Sequence, residues 1–172
     1  MAVKKALIVI DMQNDYLWEK RKAKFSYDTK QLTENVNAVL HKFSEQGGDV
    51  IYIEQLFPNL PTNRLFIGFS IKGTEGAQLY GGLDIVSRLR FEKKLPDSYS
   101  SKKFREFMRE QAYDEVYVCG LDLCGCVGAT AKGAVKTGAK VFLVQQATGS
   151  RYAGEKQQKM KSALAAAGVG FV

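Results

Sequence analysis

The segment Gly120-Leu121-Asp122-Leu123-Cys124-Gly125-Cys126-Val127 follows an apolar run and leads into a helical pattern. A cysteine in the first turn of a helix feels the positive end of the helix dipole and its free N–H groups, and both lower a thiol pKa. The same N–H groups can receive a developing oxyanion. Gly120 and Gly125 allow the tight backbone such a turn needs. The plainer reading is that small cysteines pack there. Directly after another apolar run, Ala6–Ile10, stands Asp11. Partial desolvation there makes a carboxylate a better proton acceptor, while a turn or helix cap is its plainer role. Phe91-Glu92-Lys93-Lys94 closes a third segment. A lysine brought beside a thiol and a carboxylate favours both anions, while two solvated lysines are the plainer alternative. Taken together, the three segments bring a cysteine of the Cys124–Cys126 turn, Asp11 and a lysine of the Lys93-Lys94 pair to one end of the sheet, as candidates for a cysteine nucleophile and its partners.

Such a constellation needs a scaffold that gathers strand ends. Short β-branched runs alternate with helical stretches along the chain. Ala6–Ile10 reads as a buried strand. Leu32, Val36, Val39, Leu40 and Phe43 then share a helical face, stopped by Gly47 and Gly48. Val50–Ile53 is the second strand, and a third lies around Val86–Lys93. Phe104, Phe107, Met108 and Gln111 stripe a helix before the fourth strand, Glu115–Cys119. Val127, Ala131, Ala134 and Val135 stripe the next, followed by strand Val141–Val144. A last helix carries Met160, Ala163, Leu164 and Ala167, and Gly168–Val172 reads as a sixth strand. Strict alternation implies a three-layer α/β fold with a mostly parallel, doubly wound sheet of about six strands, Rossmann-like in plan. Ligands in such sheets bind beyond the carboxyl ends of the strands, where strand order reverses. Phe57–Gly82, rich in Gly, Pro and Asn, reads as a long pocket-forming loop.

The bulk composition narrows the function classes. A chain of 172 residues, 45% hydrophobic and 25% charged, suits one globular domain over 1–172. No apolar run approaches the ~20 residues of a membrane span, and no targeting segment is visible, so the expected location is the cytoplasm. The net charge of +7 is spread along the chain, densest at Lys20–Lys24 and Lys102–Arg109, and few aromatics alternate with the basic residues to make a stacking platform. That distribution argues against a nucleic-acid partner. Cys119, Cys124 and Cys126 are too few and too close for a secreted disulfide framework. Cys124 and Cys126 lack the further ligands of a zinc site, and the sole histidine, His41, falls on a helix flank. The glycines at 120, 125 and 128 make no dinucleotide fingerprint, and there is no phosphate-binding loop.

The motif-bearing segments resemble the isochorismatase-like cysteine hydrolases, a family that includes nicotinamidases and N-carbamoylsarcosine amidohydrolase. The resemblance rests on Ala6–Tyr16, on Glu92-Lys93 with Asp97-Ser98-Tyr99, and on Cys119–Val127 with Thr130-Ala131. It implies Asp11 as acid and base, Lys93 as triad lysine and Cys126 as nucleophile. Lys93 rather than Lys94 keeps the family's spacing to the next helix. It implies a cis peptide at Leu121–Asp122, with the backbone N–H groups of Asp122 and Cys126 as oxyanion donors. The substrate it implies is a small amide or ureide, in a pocket shaped by Tyr16 and Trp18, with no cofactor, and a homo-oligomeric protein. The sequence departs from the family at Glu54-Gln55-Leu56, where nicotinamidases carry an Asp-x-His metal pair, which argues against a metal. Gln146, Leu123 and Cys124 also depart from common family residues. Two other functions stay open at this point. One is a non-catalytic binding protein on the same fold, and the other a thiol redox protein using Cys124 and Cys126.

Overall fold

The computed structural model describes residues 3–172; the first two residues of the expected 1–172 domain lie outside it. The chain forms β1 (Lys5–Ile10), α1 (Asn14–Leu17), α2 (Thr29–Glu45), β2 (Asp49–Gln55), α3 (Pro61–Phe66) and β3 (Leu89–Lys93). It continues through α4 (Lys102–Gln111), β4 (Glu115–Gly120), α5 (Gly128–Val135), β5 (Lys140–Thr148), α6 (Glu155–Ala166) and β6 (Gly170–Phe171). The strands form one parallel sheet in the order β3-β2-β1-β4-β5-β6.

The side-chain alternation of β1 explains the layers. Ala6, Ile8 and Ile10 face a core with Phe104 and Met108 of α4, Ala131 of α5 and Leu164 of α6. Leu7 and Val9 face the opposite core, with Leu32, Val36 and Leu40 of α2. Both faces of β1 are covered, so its sequence is a continuous apolar run rather than an alternating one. α2 starts where the Asp28 carboxylate accepts from the Gln31 N–H at 3.1 Å. Gly47, at φ 74°, lets the chain leave that helix.

Two segments differ from the pattern in the sequence. β3 begins at Leu89, not Val86, because the Val86 N–H donates to the Tyr52 hydroxyl at 3.0 Å instead of joining the ladder. Within the expected loop 57–82, Pro61 opens the short helix α3 at the position where a missing N–H costs nothing. Among the described residues, no helix is long and apolar enough to cross a membrane.

Strand order reverses between β1 and β4, so the chain diverges there and leaves a crevice at their carboxyl ends. Gly120 closes that crevice from below. Its φ is 102°, and a Cβ added to it would overlap the backbone of Ile10. Gly120→Ala therefore combines a disfavoured φ with a backbone clash at the β1–β4 seam. It should lower stability by at least about 2 kcal/mol, read as a fall in the urea midpoint at unchanged m-value.

Candidate active site

The carboxyl ends of β1, β2 and β3 and the turn after β4 carry the polar residues of the crevice. Asp11 leaves β1 in the left-handed region, φ 54°, where aspartate is tolerated better than most residues. Its N–H donates to Ile53 O at 3.0 Å, which ties it to β2. Gln13 strengthens the link. Its Nε2 donates to Gln55 O at 3.0 Å and Ala77 O at 2.7 Å, and its Oε1 accepts from Gln55 N at 2.9 Å. Gln55 in turn donates from Nε2 to Lys94 O at 2.9 Å. Three strand ends are thus held by amide bonds before any charge is considered.

Lys93 points inward and is 2% exposed; Lys94, next in sequence, is exposed. The Lys93 Nζ donates to Gln55 Oε1 at 2.6 Å, Asp11 Oδ2 at 3.0 Å and Cys126 Sγ at 3.2 Å. An ammonium has three protons, and all three are used. Burial works against the charged lysine, but the Asp11 carboxylate and the Cys126 sulfur outweigh it and raise its pKa above the ordinary value. The other carboxylate oxygen, Asp11 Oδ1, is buried with no hydrogen-bond partner among the described residues.

Cys126 sits on a π-helical turn, Leu123–Val127, which breaks helical geometry at Gly125 and runs into α5. The sequence pattern predicts a thiol pKa lowered by a helix terminus. The fold reverses that direction: burial, reinforced by the Asp11 carboxylate, pushes the thiol up to about 12, with Lys93 opposing. Asp122 caps the turn. Its carboxylate accepts from Cys124 N at 2.8 Å, Arg151 N at 2.7 Å and the Tyr27 hydroxyl at 2.9 Å. The Leu121–Asp122 peptide is cis. Among the described residues the Asp122 N–H has no acceptor.

A cavity of about 210 Å³ opens over these groups. Asp11, Gly125 and Cys126 line it together with Phe25, Phe57 and Phe69, and Lys94 and Arg151 also reach it. The Tyr16 ring is part of the lining, and its hydroxyl bonds to Ser70 Oγ at 2.7 Å. Trp18, expected in the pocket, is not among the lining residues; its ring lies 5.1 Å from Lys20 Nζ. Gln55, Tyr27 and Arg151 are site residues that the motifs alone do not single out. Gln55 is a buried amide at the end of an apolar strand, a weak signal, and Arg151 stands in a loop with none. A wider groove of about 720 Å³ along the edge of β3 includes neither Asp11 nor Cys126.

The donor set does not fit a metal centre. Among the described residues no three His, Cys, Asp or Glu side chains gather. Gln55 is engaged by Lys93, and His41 pairs with Asp84 at 2.8 Å on the surface.

A family model described as the isochorismatase domain matches residues 5–170. The chain belongs to the isochorismatase family. A relative within that family, the uncharacterized isochorismatase family protein YddQ of Bacillus subtilis, is 25% identical over 143 residues, spanning 83% of this chain and 76% of the relative. The crystal structure of nicotinamidase/pyrazinamidase PncA from Bacillus subtilis is similar at 25% identity and a TM-score of 0.85, covering 99% of this chain and all (100%) of that one. N-carbamoylsarcosine amidase from Thermoplasma acidophilum shares the isochorismatase-family fold at 21% identity and a TM-score of 0.81, covering 98% of this chain and 95% of that one.

Two outcomes follow from the burial of these charges and thiols. Lys93→Met leaves the Asp11 carboxylate buried without its cation, and should cost about 3–5 kcal/mol in urea unfolding. Most of that loss should return when Asp11→Asn is added. Cys119, wholly buried in β4, has its pKa pushed up to about 12 by burial, as Cys126 does. A thiol with a raised folded pKa stabilises fully below its unfolded value of about 8.5 and loses that contribution as pH rises toward the folded value. The urea midpoint should therefore fall as pH climbs from ~8.5, and Cys119→Val should make the fall shallower.

Proposed function

We propose that this protein is a hydrolase of non-peptide C–N bonds, cleaving a small amide or ureide through a thioester on Cys126. The observation that carries the reading is the Lys93 ammonium, which touches both Asp11 Oδ2 and Cys126 Sγ on the floor of a cavity. The family membership and the amidases among its structural neighbours support it.

In this reading Asp11 takes the thiol proton as the sulfur attacks the substrate carbonyl carbon. Lys93 offsets the negative charge shared by carboxylate and sulfur. The oxyanion rests on the backbone N–H groups of Asp122 and Cys126, and the first of these has no competing acceptor. Protonated Asp11 passes its proton to the leaving nitrogen, and the C–N bond breaks to leave an acyl thioester. Asp11 then accepts a proton from water as the hydroxide attacks the thioester. The acid departs, and the proton returns to the cysteine sulfur.

Cys124 faces other neighbours. Its Sγ lies 3.9 Å from Ser150 Oγ and 3.7 Å from Lys156 O, and neither belongs to the Lys93 cluster. A redox pair would need both sulfurs; the hydrolase needs only Cys126. Ammonia release from a panel of small amides and ureides tests the proposal. Cys126→Ala should lower turnover by at least ~10³-fold at an unchanged melting temperature, and Asp11→Asn by ~10²–10⁴-fold. Cys124→Ser should retain activity. Turnover that survives Cys126→Ala would remove the nucleophile and the proposal with it.

A further inference from the structure

The mouth of the cavity carries cations that no acid answers. Lys24 Nζ lies 4.4 Å from the Phe69 ring centroid and 5.1 Å from that of Phe25. The Arg151 guanidinium lies 6.0 Å from the Phe25 centroid on the same cluster, and Lys94 lines the cavity itself. Among the described residues none of the three forms an ion pair, and the Arg151 side chain makes no hydrogen bond. The nearby carboxylates are spoken for. Asp11 holds Lys93, and Asp122 accepts from three donors. Burial, then the repulsion of Lys22 and Arg151, holds Lys24 below the ordinary lysine pKa. An apolar cleft with a surplus of one sign of charge at its rim concentrates ligands of the opposite sign.

The geometry points to a substrate that is an anionic amide: a carboxylate held by Arg151 with Lys24, a short body against Phe25 and Phe69, and the amide carbonyl at Cys126. The assignment of the scissile bond rests on the hydrolase reading; the anion site does not. Arginine offers a planar fork that matches a carboxylate bidentately, and a lysine adds a point charge. Asp122 ties the two regions together: one carboxylate oxygen takes the Arg151 backbone N–H at 2.7 Å, while the other takes the Cys124 backbone N–H at 2.8 Å. The loop that carries Arg151 and the turn that carries Cys126 are thus held by one side chain, and the cavity that both line, about 210 Å³, admits a small ligand.

Calorimetric titration of the Cys126→Ala protein with malonamate, succinamate, glutaramate and the uncharged butyramide separates the possibilities. The best anionic amide should bind at least about tenfold tighter than butyramide, the span of one charge-assisted pairing. Arg151→Gln should remove the gap, and Lys24→Gln should narrow it. The inference is overturned if butyramide binds as well as the best anionic amide, if no anionic amide binds, or if neither substitution moves the gap. The wild-type protein then reports on the other reading. An anionic amide that binds but is never cleaved leaves the anion site standing and removes the hydrolase. Cleavage of neutral amides alone does the reverse.

Discussion

A lysine ammonium buried at the end of a parallel sheet is the constraint around which the carboxyl edge is organised. An ammonium out of water costs several kcal/mol unless its protons and charge are matched. Here the match comes from three separate places: the residue after β1, the last residue of β2, and the turn after β4. The pairing of Gln55 with Lys93 in the β2–β3 ladder sets the register that aims Lys93 inward. A slip of one residue would turn Lys94 inward and send Lys93 to solvent. Correct strand register and correct charge placement are the same requirement.

That constraint also decides the state of the thiol. The sulfur shares a dry corner with a carboxylate that disfavours its ionisation and an ammonium that favours it. Burial and the carboxylate win, and the thiol pKa is raised; in the proposed reaction Asp11 is the group that receives the proton. A pre-formed thiolate would be open to oxidants and alkylating agents at rest. In the proposed reaction, a thiol held next to its base avoids this and still has a short path for the proton.

The layers of the fold were legible because the central strands are apolar on both faces. Ala6–Ile10 and Val50–Ile53 have no exposed side to interrupt the run. β3 was harder to delimit because it is an edge strand, with exposed Arg90 and Glu92 alternating with Leu89, Phe91 and Lys93. α3 escaped because none of its residues is buried, so no hydrophobic period marks it. At the site, Asp11, the Lys93-Lys94 pair and the Cys124–Cys126 turn drew attention because each ends or follows a recognisable run; the family resemblance singled out Lys93 and Cys126, and the fold brings Asp11, Lys93 and Cys126 together. Gln55, Tyr27 and Arg151 reach the same crevice through tertiary contacts without a local signature. Trp18, expected in the pocket with Tyr16, is not among the residues that line the cavity. The direction of the thiol shift also depended on burial, which spacing along a chain does not encode.

β3 lies at the margin of the sheet and pairs with β2 alone. The cation of the site therefore rides on an edge strand with a single neighbour, while its partners sit on or directly after interior strands. Local opening is easiest where backbone bonds are fewest. Fraying of this one strand would carry Lys93 away from Asp11 and Cys126 while β1, β2 and β4 stayed paired. The contact among Lys93, Asp11 and Cys126 thus depends on the stability of a margin as well as on that of the whole molecule.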